Sequence, residues 1–261
     1  MNSDSTENSA PAALQNDPWV RLRRHTSARL ALGRSGGSLP TGAVLAFAHD
    51  HALARDAVHA PFDAEALARK LAPFAGPVAI LISAAPDRAT YLRHPELGRR
   101  LSAESASQLS ALGSQPHHDL VVVVSDGLSA LAAERQAPPL LAALLPQLQA
   151  AGFARIDVVI ARLGRVALQD EIGARLGARQ SLMLLGERPG LGTPDSLGAY
   201  LTYEPRPGRT DAERNCVSNI HGAGLSAEAA AERIATLLIA SRDKQASGLA
   251  LDQARQLGEA E

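Results

Sequence analysis

The chain has 261 residues, 46% of them apolar and 20% charged, with 26 Lys and Arg set against 27 Asp and Glu for a formal net charge of −1. This balance is globular and leaves ample length for a core; it excludes a disordered chain, a collagen, a coiled coil and a strongly basic nucleic-acid binder. No apolar run approaches the ~20 residues needed to span a bilayer, so no membrane partner is expected.

Residues 1–16 are small and polar, lack a signal-peptide core, and read as a disordered tail. Asp17 suits an N-cap and Pro18 a first helical position. Trp19, Leu22, Leu30 and Leu32 give that stretch an apolar stripe, with Thr26-Ser27 as an interruption and Gly33 as its end. A glycine-rich loop, 33–40, follows, and Thr41 caps a helix over about 42–59. A short helix over 63–71 completes a first third that is expected to be all-helical.

The texture changes near Pro77. Val78–Ile82 is a short apolar run that suits a buried strand, and 95–112 reads as a helix. Leu120–Val124 is the clearest strand, and 139–150 is helical up to Gly152. A strand over Ile156–Ile160, a helix near 168–176, a strand over Ser181–Leu185 and a strand over Ala199–Tyr203 come next. Ser226 caps a long Ala-rich helix to about Arg242. Strands alternating with helices imply crossovers and a parallel sheet, and runs such as LVVVV suit strands covered on both faces. The expected fold class is α/β. A small N-terminal helical domain, 17–74, precedes a doubly wound, mostly parallel, Rossmann-like sheet domain, 75–255.

In such a sheet, ligands bind outside the carboxyl ends of the strands. Three loops leave those ends: SDGLS (125–129), ARLGRV (161–166) and GERPGLGTPDS (186–196). Their glycines either let backbone approach a ligand or merely make turns. The familiar motifs fail: there is no G-x-G-x-x-G that opens a helix, no phosphate-binding lysine loop, no H-E-x-x-H and no G-x-S-x-G. His49, His51, His117 and His118 are not at common metal spacing and read as surface histidines. The single cysteine, Cys216, excludes an internal disulfide and a sulfur-rich metal site. It reads as a small core residue, with His221 a weak candidate base. Glu187 lies between two glycines at the ligand edge, as a solvated carboxylate or a binding group. Arginines make up 24 of the 26 basic residues, an excess that genome bias explains unless position says otherwise.

Several segments, taken in order, resemble one family. They are GRSGGSLPT (33–41), ARDAVH (54–59), YLRHPELGRRLS (91–102), VVVSDGLSA (122–130), ARLGRVALQDEIGARLGA (161–178), LLGERPGLGTPDSLGAY (184–200), NCVSNIHGAGLS (215–226) and KQASG (244–248). Together they are similar to the small (light, beta) subunit of ethanolamine ammonia-lyase, over about 17–250. The resemblance implies an adenosylcobalamin-dependent lyase that converts ethanolamine to acetaldehyde and ammonia through a 5′-deoxyadenosyl radical. It implies a large subunit that holds the substrate, a small subunit that closes over the cobalamin, and a higher-order assembly of both chains. Val166, Glu187 and Cys216 match the family's cobalamin contacts, and Arg165 and Arg188 are secondary candidates for phosphate or cross-subunit pairing. No catalytic side chain and no metal ligand is assigned to this chain. No D-x-H-x-x-G string exists, so base-on cobalamin with no protein histidine on cobalt is expected. Residues 1–16 lack the helical apolar stripe by which some relatives enter a bacterial microcompartment, so the expected location is the cytoplasm, free or within such a compartment. Two other readings compete: a stand-alone nucleotide-binding α/β enzyme, and a non-catalytic partner that has lost its ligand face.

Overall fold

The computed structural model describes residues 17–111 and 118–258; the tail expected over 1–16 and His117 lie outside them. The chain divides into two compact units, Met1–Ala54 and Arg55–Glu261. In the first, Asp17 caps a 3-10 helix, Pro18–His25, by accepting from the Trp19 N–H. That helix stops at Thr26, as the sequence suggests. Arg23 then holds the returning chain through the Leu30 and Ala31 carbonyls. Ser35 and Ser38 bridge across Gly36-Gly37 in a tight turn. Helix α1, Thr41–His59, begins in this unit and crosses its boundary.

The second unit is built on a six-stranded sheet in the order β1-β3-β2-β4-β5-β6. The strands are β1 (Ala79–Ile82), β2 (Leu120–Ser125), β3 (Ile156–Arg162), β4 (Gln180–Gly186), β5 (Leu197–Tyr203) and β6 (Arg214–Ile220). The first four run parallel, and β5 and β6 are antiparallel additions at one side. Helices α2 (Ala64–Ala75), α5 (Ala130–Ala150) and α7 (Ala227–Lys244) cover one face, with Leu120, Val122 and Val124 of β2 turned into them. Helices α4 (Ala103–Ala111) and α6 (Leu168–Arg175) cover the other, where Val121, Val123 and Met183 point. Every residue of β2 and β4 is therefore buried, which is why those strands read as unbroken apolar runs. The α/β class and the parallel strands agree with the sequence reading.

Chain order sets the site. From β2 the chain crosses by α5 to β3 on one side, then returns by α6 over the opposite face to β4 on the other side. The loop after β2 leaves toward one face and the loop after β3 toward the other, so the adjacent carboxyl ends of β2 and β3 form a switch point in the parallel part of the sheet.

Five segments differ from expectation. The helix expected over 95–112 is broken, because Arg100 is extended and Leu101 bridges Ser83 beside β1. A 3-10 turn, Leu97–Arg99, precedes that break and α4 follows it. A short helix α3, Arg88–Arg93, capped by Asp87, was not foreseen. Helix α5 starts at Ala130 rather than near 139 and runs through Pro138 and Pro139. Its buried Ala132, Ala133 and Ala137 and the Ser129 cap hold turns that proline alone would disfavour. Strand β6 and helix α8 (Leu249–Gly258) also escaped the sequence reading, β6 because it is an edge strand with mostly polar residues.

Candidate functional site

The three loops singled out by sequence converge at the carboxyl ends of β2, β3 and β4. Buried Asp126 ties two of them together: its Oδ1 accepts from the Leu163 N–H at 2.7 Å and its Oδ2 from Arg88 at 2.8 Å. Leu163 holds a left-handed backbone, φ 57°, at this turn. Arg88 also donates to the carbonyls of Gly127 and Val58. Burial pushes the Asp126 carboxyl above its ordinary range, against the pull of Arg88 and of the Leu163 N–H. The Gly164 N–H donates to Ser125 Oγ at 3.0 Å, and Leu128 N–H to the Gly186 carbonyl at 2.9 Å.

The loop glycines serve these approaches of loop to loop. A Cβ at Gly186 would be driven into the carbonyl oxygens of Ser129 and Asp126. One at Gly127, itself at φ +52°, would meet the Gly186 carbonyl, and one at Gly164 would stand 2.7 Å from Ser125 Oγ. Gly192 has open space about it.

Beside the joined loops lies a cavity of about 770 Å³ whose wall includes Leu128, Val166, Ala167, Gly186, Glu187 and Tyr200. Buried Tyr91 closes one side; its hydroxyl donates to the Gly164 carbonyl at 2.8 Å. The guanidinium of Arg165 stacks over the Tyr91 ring at 4.2 Å, and the Arg165 N–H donates to the Gly98 carbonyl at 2.7 Å. Gly98 is needed there, since a Cβ would fall 2.8 Å from the Arg165 chain and 2.9 Å from the Tyr91 ring. Helix α6 starts next to this contact without a side-chain cap at Ala167. Among the described residues nothing accepts from the backbone N–H groups of Val166 or Ala167.

Glu187 and Cys216 form a second cluster with Tyr200. Ser196 Oγ donates to Glu187 Oε2 at 2.6 Å, and the Asn219 N–H approaches Oε1 at 3.4 Å. Tyr200 lies opposite Cys216 in the β5–β6 register. Burial first, then the neighbouring Cys216 and Glu187, push the Tyr200 phenol up to about 12. Protein packed about the sulfur and then the Glu187 carboxylate raise the Cys216 thiol, while its hydrogen bond with Tyr200 lowers it.

Val166 and Glu187 therefore share the cavity wall, whereas Cys216 is exposed on the edge strand and meets it through Tyr200. Cys216 also borders a smaller hollow of about 580 Å³ against α7. Its expected place in the core is thus corrected: an edge strand leaves its side chain open. Buried His221 is held by Asn219 Oδ1 at 2.8 Å and by the Ala223 N–H, so it does not serve Cys216 as a base. His118 is not a surface residue either: it is buried, with Nδ1 2.7 Å from an Asp157 oxygen. His49 and His51 are exposed. Among the described residues no group of three His, Cys, Asp or Glu is placed to hold a metal ion. No helix among them is long and apolar enough to cross a membrane. Sequence reasoning missed Tyr91, Arg88 and Tyr200; the glycine in HPELG was the one local sign of a close approach.

Over residues 16–252 the chain matches the family described as ethanolamine ammonia-lyase light chain (EutC). Its curated relatives include the ethanolamine ammonia-lyase small subunits of Ralstonia nicotianae, 48% identical across 95% of this chain and 92% of that protein, and of Pseudomonas fluorescens, 50% identical across 95% and 90%. The small subunit of Bradyrhizobium diazoefficiens is 52% identical across 92% of each chain.

Proposed function

The chain belongs to the family of ethanolamine ammonia-lyase light chains, and from that premise we propose that it closes over adenosylcobalamin at an interface with a large subunit that binds ethanolamine. When bound, the cofactor supplies the radical chemistry by which ethanolamine becomes acetaldehyde and ammonia. The contribution of this chain is to grip the corrinoid's polar rim and to keep water from it.

One observation carries the reading. Among the described residues the Val166 and Ala167 N–H groups have no partner at the start of α6, on the wall of the cavity at the carboxyl end of the sheet. Orphan backbone donors beside a cavity suit a ligand rich in amide carbonyls, and a corrinoid carries such amides around its rim. On the same wall Glu187 is held in place by Ser196 and offers its carboxylate to amide N–H or ribose hydroxyl donors. Cys216, small and exposed beyond Tyr200, allows a close approach without a redox or nucleophilic role. These residues fit the group that the family resemblance implies.

The reading assigns no protein histidine to cobalt. In the assembled enzyme, 15N-histidine labelling is expected to leave the superhyperfine pattern of the cob(II)alamin resonance unchanged; a changed pattern overturns that part. The central test mixes this chain with a large subunit, adenosylcobalamin and ethanolamine and assays acetaldehyde. Neither chain alone is expected to turn over, and the mixture is. Turnover by this chain alone would overturn the proposal.

A further inference from the structure

We propose that Arg99, Arg165 and Arg188 form a seat for one phosphodiester anion, that of the cofactor's nucleotide loop; this deepens the reading above and rests on it. All three line the cavity that holds Val166 and Glu187.

The cavity has five arginines, and the fold uses two of them for itself. Arg214, buried, makes a two-pronged pair with Asp170 at 2.7 and 2.6 Å. Arg209 pairs with Glu213 at 2.5 Å. Among the described residues no carboxylate pairs with Arg99, Arg165 or Arg188. Three unpaired guanidiniums around one cavity repel one another, and an anion among them removes that cost. The peripheral amides of a corrinoid are neutral and need only single hydrogen bonds. Its phosphodiester is the group whose charge and geometry answer guanidinium forks.

The arrangement is also prepared in advance. Arg165 is stacked on Tyr91 and lightly tethered to the Tyr91 carbonyl at 3.4 Å, and its Nε is buried without a hydrogen-bond partner. A fork that is already oriented loses little freedom on binding. Arg99 ends the 3-10 turn whose Gly98 carbonyl accepts from the Arg165 N–H, so the two are joined through backbone. Arg188 directly follows Glu187 and is exposed. The uncapped start of α6, with its free N–H groups, adds positive potential at the same wall.

The test uses the complex co-expressed with the large subunit. It titrates cyanocobalamin, and dicyanocobinamide, which lacks the nucleotide loop and its phosphate, by equilibrium dialysis. Joint Arg99→Gln and Arg188→Gln substitution should weaken cyanocobalamin about 10- to 100-fold, the range of lost charge-assisted bonds, and cobinamide less than about 2-fold. Arg165→Lys, which keeps the charge and loses the fork, should show the same selectivity with a smaller loss. Circular dichroism of each complex reports whether the fold survives. Equal weakening of both corrinoids, or unchanged cyanocobalamin affinity, overturns the seat. Competition by AMP that the same substitutions abolish gives the seat to a free nucleotide and overturns it too. If the unsubstituted complex binds neither corrinoid, the proposed function itself falls.

Discussion

Glu187 acts on its neighbours through charge as well as contact, and Cys216 reports it. The carboxylate raises the Cys216 thiol and the Tyr200 hydroxyl lowers it, both on top of the larger effect of the protein packed about one side of the sulfur. The two substitutions therefore have opposite signs. Glu187→Gln removes a negative charge that disfavours thiolate, so the thiol pKa falls and more thiolate is present at a given pH. Tyr200→Phe removes a donor that favours thiolate, so the pKa rises. At pH 8 in the cofactor-free chain, iodoacetamide should alkylate Cys216 faster in the first variant than in the unsubstituted protein, and slower in the second. Mass spectrometry across a pH series measures the midpoints directly. Coincident midpoints for all three proteins would show that these side chains do not sense one another. With one cysteine in the chain, the signal has a single source.

At the scale of the element, the site is three loops locked by glycine. Gly186→Ala would press a methyl against two backbone carbonyls, of Ser129 and Asp126, which cannot rotate away as a flexible side chain would. A loss of about 1–3 kcal/mol or more is expected, the range for overpacking a tight site. Gly192→Ala, in open space on the β4–β5 connection that Gly186 leads into, should stay within about 0.5 kcal/mol. Urea midpoints of the two variants compare them; equal midpoints would refute the packing argument. The pair also shows what was legible in the sequence. The strands β2, β3 and β4 were plain, because burial on both faces writes itself as apolar runs. From them came the three loops, with Val166 and Glu187. What glycine does there was not legible, since Gly186 and Gly192 differ only in their surroundings. Nor were Tyr91 and Arg88, which reach the loops from α3, a helix that local pattern hid. Strand β6 was lost for a related reason: an edge strand has one open side, and its residues alternate too little to be read.

At the scale of the whole molecule, the two units treat apolar surface in opposite ways. The second buries its aliphatic side chains in two clusters on either side of the sheet. The first has no buried residue among 17–54, and it exposes Trp19, Val20, Leu22, Leu30, Leu39, Val44, Leu45, Phe47 and Leu53. Exposed apolar area of that extent marks an interaction surface, and in water it costs solubility. Under the proposed function the surface calls for cover when the large subunit is bound. Trp19, the only tryptophan, is 59% exposed and belongs to this unit, so intrinsic tryptophan emission of this chain is a probe of that surface alone. The isolated chain should emit at the long wavelengths of hydrated indole, be quenched readily by acrylamide, and bind a hydrophobic dye. Assembly with a large subunit whose own tryptophans are replaced should shift the emission to shorter wavelength, weaken quenching and reduce dye binding. The shift follows from desolvation of the ring, which no change confined to the sheet domain's cavity would produce. Identical spectra and quenching before and after assembly would mean that the N-terminal unit stays in water and that its apolar side chains serve some other contact.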